Sequence, residues 1–317
     1  MKEIKESFDQ LIKNQLIKGK KYSKSNFGYR IKNKIYLNYF SNSCWGKFKA
    51  NVRVKYGGGE LDEHKHGKYI IPPKMASVAS SSRFIYLLFK DKNNIRFFTN
   101  SSTHNGEIEF ERVNEKITFK KGITPSKPNY DAFCESENFM IYFEAKCHEI
   151  FDNHSLEWKP DYKYVFPKKF KPLEFEYMTR RKNWLSFCKK HNWDITKPYK
   201  NKKPCCRLED CRCIEMPPNI FNLDGEEFIF FDVKQFVCHL LGINARQSSK
   251  PAKLIYLYYY PESAEQQYNC YYKNLERQIK HVISSPFIKS IINKTKIELW
   301  YSKANTMEDK PILVKVF

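Results

Sequence analysis

Phe139-Met140-Ile141-Tyr142-Phe143-Glu144-Ala145-Lys146-Cys147 runs from an apolar stretch into an alternating charged pair. Strand residues point to opposite faces in turn, so Glu144 and Lys146 share one face while Phe143, Ala145 and Cys147 point into a core. Asp131 lies on the segment before it, and between them Cys134-Glu135-Ser136-Glu137-Asn138 is polar and suited to a hairpin turn centred near Glu137 and Asn138. Such a turn sets Asp131 roughly opposite Glu144. Two carboxylates converging from adjacent strands can ligate a hard cation, Mg²⁺ or Mn²⁺, and leave positions for water and a phosphate oxygen. Lys146 beside them would orient or deprotonate that water and balance developing charge. The plainer alternative is a solvent-facing hairpin with ordinary surface charges.

The Glu-x-Lys pattern alone discriminates poorly, because Glu3-Ile4-Lys5, Glu63-His64-Lys65 and Glu308-Asp309-Lys310 also satisfy it. None of these follows an apolar strand. Asp232-Val233-Lys234 does follow one, Phe228-Ile229-Phe230-Phe231, and has Asp224 upstream. From Val233, however, the apolar residues fall at Phe236, Val237, Leu240 and Leu241, which is helical spacing. Asp232 is therefore expected to cap a helix start, with Gly242 placed to end it.

Taken together, Pro128-Asn129-Tyr130-Asp131 and Glu144-Ala145-Lys146 resemble the motif of the PD-(D/E)XK nuclease superfamily, although two residues separate Pro128 from Asp131. The resemblance implies a restriction-endonuclease-like α/β core, a central mixed β-sheet flanked by helices, with Asp131 and Glu144 as metal ligands and Lys146 as the water-positioning residue. It also implies a helix and then a strand downstream, which Asp232 to Leu241 and Lys253 to Tyr260 would supply. Some branches carry Gln-x-x-x-Tyr on that helix. Here Gln235 and His239 occupy those positions as auxiliary active-site residues, or as an ordinary solvated helix face. Upstream, Gly57-Gly58-Gly59-Glu60-Leu61, Pro72-Pro73-Lys74-Met75 and Ser80-Ser81-Ser82 are similar to the leading segment of one branch, which would make Glu60 an additional metal carboxylate.

The chain of 317 residues carries a formal charge of +21, from 56 Lys and Arg against 35 Asp and Glu. Its aromatic content of 16% excludes a disordered polyelectrolyte. The positive excess calls for a polyanionic partner, nucleic acid with DNA favoured, or else reflects lysine-rich solvation. Met1 to Lys20 is charged and amphipathic, with Ile4, Phe8, Leu11, Ile12 and Leu16 on one stripe, so no secretory leader is expected. No run approaches a membrane span, and a cytoplasmic protein, with a homodimer as one option, is the expectation. The ten cysteines would then be reduced thiols or metal ligands. Cys205, Cys206, Cys211 and Cys213 cluster as a structural Zn²⁺ site or as free thiols in a loop.

The expected organisation is an N-terminal helix and strand-rich segment over 1–75 and a nuclease-like core over 76–317, with a Lys/Pro/Cys-rich insertion at about 152–222. Within the first part, 34–40 and 50–54 read as strands. Pro72-Pro73 marks a boundary, and a helix containing Arg83 to Phe89 follows. Strands near 95–98, 107–112 and 116–120 lead to the Asp131 and Glu144 strands, and 263–283 and 296–301 read as a final helix and strand. In the insertion, Lys168, Lys169, Arg180 and Arg181 interleave with aromatics as a phosphate-tracking surface, or Tyr177, Trp184, Leu185 and Cys188 form a buried helix stripe. The functional expectation is a metal-dependent DNA endonuclease of restriction or defence type. The alternatives are an inactive nucleic-acid-binding protein on the same fold and a nuclease acting on RNA.

Overall fold

A computed structural model describes residues 2–53, 56, 59–90, 95–99, 107–113, 128–136, 138–152, 154, 220–221, 227–228, 231–246, 249–292 and 294–317. The cysteine cluster at 205–213 and the basic residues Lys168, Lys169, Arg180 and Arg181 lie outside these, as does the strand expected at 116–120.

In chain order the elements are α1 (Lys2–Lys18), the hairpin β1 (Phe27–Ile31) and β2 (Lys34–Phe40), α2 (Asn42–Val52), the hairpin β3 (His64–His66) and β4 (Tyr69–Ile71), and α3 (Ser81–Phe89). They continue with the single turn α4 (Arg96–Thr99), then β5 (Glu109–Val113), β6 (Asn129–Glu135) and β7 (Met140–Lys146). After the small hairpin β8 (Ile220–Phe221) and β9 (Glu227–Phe228) come α5 (Val233–Ala245), β10 (Ala252–Pro261), α6 (Glu265–Ser284), α7 (Pro286–Ile292), β11 (Thr295–Ala304) and β12 (Ile312–Lys315).

The core is a six-stranded mixed sheet in the order β12-β11-β10-β7-β6-β5. β5, β6 and β7 form an antiparallel meander, β10 pairs parallel to both β7 and β11, and β12 closes the edge antiparallel. Parallel strands need crossover connections, and α5 and then α6 with α7 lie on them. Helices cover both faces. Phe89 of α3 and Phe98 of α4 pack on Phe143 at centroid distances of 4.8 and 5.1 Å, and Phe84 packs on Tyr259. On the opposite face Phe236 of α5 meets Tyr256, and Tyr272 of α6 meets Tyr260. Every residue of β10 is buried, as a central strand covered on both sides requires.

α1 lays its apolar stripe on the sheet's periphery. Phe8 contacts Phe151, Tyr259 and Tyr268, and Lys5 pairs with Asp152 at 2.7 Å.

Two expected strands are helices instead. Residues 50–52 end α2, because Ser41 caps its start by accepting the Cys44 N–H and Trp45, Phe48 and Val52 recur at helical spacing toward the core. In place of the strand near 95–98 is the turn α4, with Ile95 just before it and Phe98 within it, three apart and both buried, while Phe97 is 56% exposed. Gly242 does not stop α5, which runs on to Ala245. Among the described residues no helix is long and apolar enough to cross a membrane.

Candidate active site

β6 and β7 pair from Glu135↔Met140 to Ala132↔Phe143, and Asp131 stands just past the inner end of that ladder. Its Oδ2 accepts the Ala145 N–H at 2.6 Å, which fixes the carboxylate against β7. Glu144 is 3% exposed, so its face of β7 is not open to solvent: α5 lies over it. The solvent-facing hairpin is thereby excluded. Lys146 donates to Glu144 Oε1 at 2.6 Å and to Gln235 Oε1 at 3.0 Å, while Gln235 Nε2 donates to the same Glu144 Oε1 at 2.8 Å. The three side chains form a closed triangle between a strand and a helix start.

Asp232 caps α5 as its spacing implied, its side chain accepting the Gln235 N–H at 2.8 Å. The cap sets the first turn, and that turn carries Gln235 to Glu144. One turn on, His239 is 2% exposed, so the solvated-face alternative fails for it. Its Nε2 lies 3.1 Å from the Asn129 carbonyl and 3.6 Å from Glu144 Oε2, and its ring stacks on Tyr130. Burial holds its pKa below the ordinary histidine value, outweighing the pull of Glu144, so the imidazole is neutral and backs the carboxylate.

The same cleft, about 390 Å³, is lined by Glu60, Asp131, Glu144, Lys146, His148, Glu149 and Gln235 among others. Glu60 is engaged by Lys74 at 3.2 Å and by the Ser82 hydroxyl. Burial, and then the neighbouring Glu144 charge, push the Asp131 pKa well above the carboxylate range. Burial alone would lower the Lys146 pKa, but Glu144, Glu149 and Asp131 raise it beyond the ordinary lysine value. Lys146 is thus a firmly held cation in this arrangement.

Can these residues hold a divalent ion? Among the described residues no group of three or more His, Cys, Asp or Glu side chains is placed to hold a metal by itself. Mg²⁺ does not demand one, since it keeps several waters and commonly takes one or two carboxylates plus a substrate phosphate. Asp131 Oδ1 makes no hydrogen bond among the described residues, and the mutual repulsion of Asp131 and Glu144 is what a cation would relieve. On that chemistry the pair fits.

Sequence reading missed Glu149, His148 and Glu111. Glu149 takes the Cys147 N–H at 2.6 Å, and although burial raises its pKa, His148, Lys146 and backbone N–H groups bring it below the ordinary value. Glu111 adopts a left-handed φ of 52° on β5, accepts a hydrogen bond from the Tyr56 hydroxyl, and is pushed up in pKa by burial and by Glu60 and Glu144. Its position in a stretch of mixed charge gave no signal; only the third dimension brings it near.

Comparison with known proteins adds no assignment: no family model matches the chain, and neither a curated protein nor a solved structure matches it.

Proposed function

We propose that the protein is a Mg²⁺-dependent nuclease that hydrolyses phosphodiester bonds, with DNA as substrate and an endonuclease of restriction or defence type as the closest class. The observation that carries the reading is the buried Glu144-Lys146-Gln235 triangle with Asp131 beside it, at the lining of a cleft. A buried ion pair is a poor way to stabilise a fold, since desolvation offsets much of its attraction, so three converging charges at a cleft suggest a chemical role. The order α3, the antiparallel β5-β6-β7, α5 and parallel β10 also supports it, being the order of a restriction-endonuclease-like core.

In this reading Asp131 and Glu144 hold the ion, which when bound supplies Lewis-acid polarisation of the scissile phosphate and a more acidic water. Gln235 keeps Glu144 and Lys146 in register. Lys146, held as a cation, stabilises negative charge that develops at phosphorus. The net charge of +21 supplies the long-range attraction for a polyanion.

One observation favours the second reading, a nucleic-acid-binding protein without catalysis: no three ligating side chains converge among the described residues. The deciding experiment incubates the protein with Mg²⁺ or Mn²⁺ and plasmid, linear duplex, single-stranded DNA or RNA. Metal-dependent cleavage of DNA is expected. Binding of all four without cleavage would replace the nuclease by the binding protein, and cleavage of RNA alone would reassign the substrate.

A further inference from the structure

His148 opens the short 3₁₀ turn His148–Phe151 that follows β7, and it lines the same cleft as Asp131, Glu144 and Lys146. Its Nδ1 lies 2.7 Å from Oδ1 of Asp9, a residue of α1 that is 8% exposed. The contact joins residues 139 positions apart. Phe8 meets Phe151 edge-on at 5.1 Å, and Lys5 bonds both Asp152 oxygens at 2.7 Å, so the turn of α1 that leads to Asp9 is fastened to this segment at two further points. With Nδ1 donating to Asp9, the imidazole keeps Nε2 as its acceptor, and Nε2 makes no hydrogen bond among the described residues.

Among the described residues the other candidate acceptors of the cleft are already engaged, and in the nuclease reading Asp131 and Glu144 are given to the ion. Lys146 is a cation bound to Glu144 and Gln235, and Glu144 Oε1 already receives two hydrogen bonds. Asp131 and Glu60 are engaged by Ala145, by Lys74 and by Ser82. Glu149 receives the Cys147 N–H. A carboxylate behind one imidazole nitrogen fixes the tautomer and raises the basicity of the other.

We propose that Asp9 and His148 form a catalytic dyad in which His148 Nε2 is the general base for the attacking water. The proposal rests on the nuclease reading of the cleft. As the water oxygen bonds to phosphorus, its proton passes to Nε2. The bond from phosphorus to the leaving oxygen breaks with its electron pair, and that oxygen takes a proton from solvent. The imidazolium, stabilised by Asp9, returns its proton to solvent. Asp9 is a positioning residue, since it acts through His148.

Charges facing the imidazole come from several elements. Asp9 on α1 and Glu149 on the turn bring negative charge to it, and Lys146 on β7 brings positive charge. Across the cleft Glu60, Asp131 and Glu144 add negative charge and Lys74 adds positive, while Tyr39 stays neutral because burial, then Asp9, raise its pKa.

The test measures single-turnover cleavage against pH for the full chain with Mg²⁺, alongside nucleic-acid binding and thermal melting. Wild type should show a rate that rises with pH through one ionisation and then levels. His148→Gln, which keeps a similar shape, should lose about 10²–10⁴-fold in rate together with that limb, with binding and melting retained. Imidazole added to His148→Ala should restore part of the rate. Asp9→Asn should shift the limb to lower pH, the sign expected when an anion that favours imidazolium is removed. Wild-type cleavage with His148→Gln at equal rate and equal pH profile would overturn the dyad and leave the nuclease standing. Absence of cleavage by wild type would overturn the nuclease reading and the dyad's role with it.

Discussion

Glu144-Ala145-Lys146 and Asp232-Val233-Lys234 have nearly the same composition, and both follow an aromatic run. In the folded chain they do unlike things. The first ends a strand inside the sheet, so its carboxylate is 3% exposed and must find partners within the protein, which it does in Lys146 and Gln235. The second begins a helix, and Asp232 spends its oxygen on the Gln235 backbone N–H that the helix geometry leaves without an internal partner. What separates a candidate catalytic acid from a cap is therefore the demand each backbone makes on the side chain. Glu144 takes its hydrogen bonds from side chains, so no backbone group claims it; at a helix start the backbone itself requires the carboxylate. The two segments also meet, because the capped turn is the one that delivers Gln235 to Glu144.

The sharpest way to break this contrast is to neutralise both acids. Glu144→Gln and Lys146→Met are expected to lower metal-dependent cleavage by at least about 10²-fold, the scale for losing a preorganised charged group, while duplex binding persists. Asp232→Asn should cleave at a rate near wild type. Loss of activity in folded Asp232→Asn with the Glu144 and Lys146 variants still cutting would move the chemistry to Asp232-Val233-Lys234.

A smaller effect separates the two sites in the absence of substrate. Burial and Glu144 raise the folded-state pKa of Asp131, so its contribution to stability is fully present below the unfolded value of about 4 and is lost as pH rises through the folded one. Metal-free Asp131→Asn should therefore melt above wild type at neutral pH and show a flatter decline as pH rises. Mg²⁺ at about 100 times its Kd should raise wild-type stability by about 2.7 kcal/mol and leave Asp131→Asn unmoved. Equal stabilisation of both proteins would remove Asp131 from the ion's ligands. Asp232→Asn should respond to Mg²⁺ as wild type does.

The smallest expected change is in the cap. Asp232→Ala should cost about 0.5–2 kcal/mol in urea unfolding. No loss at all would mean that the cap bond to the Gln235 N–H contributes nothing measurable to the fold.

Much of the sheet was legible. The strands around Glu144 and Tyr256 show the apolar runs that strands covered on both faces require, and α5 shows helical spacing behind its cap. Short amphipathic turns were not. In 95–98 and 50–52 two or three apolar residues fit either period, and only the packing of Phe98 against Phe143 and Trp300, or of Trp45 against Phe48, decides for helix.

The sequence by itself determined that Glu144 and Lys146 share a face, that Asp131 precedes them by a hairpin, and that Asp232 is spent on a helix start. These are local matters of strand alternation, turn length and capping, which are settled within a few residues. Only the tertiary structure decided that the Glu144 face is covered, that Gln235 closes on Glu144 and Lys146, and that Asp9 stands behind His148. Those juxtapositions join residues 91, 89 and 139 positions apart, and they follow from how α1 and α5 pack against the sheet, which no local pattern encodes.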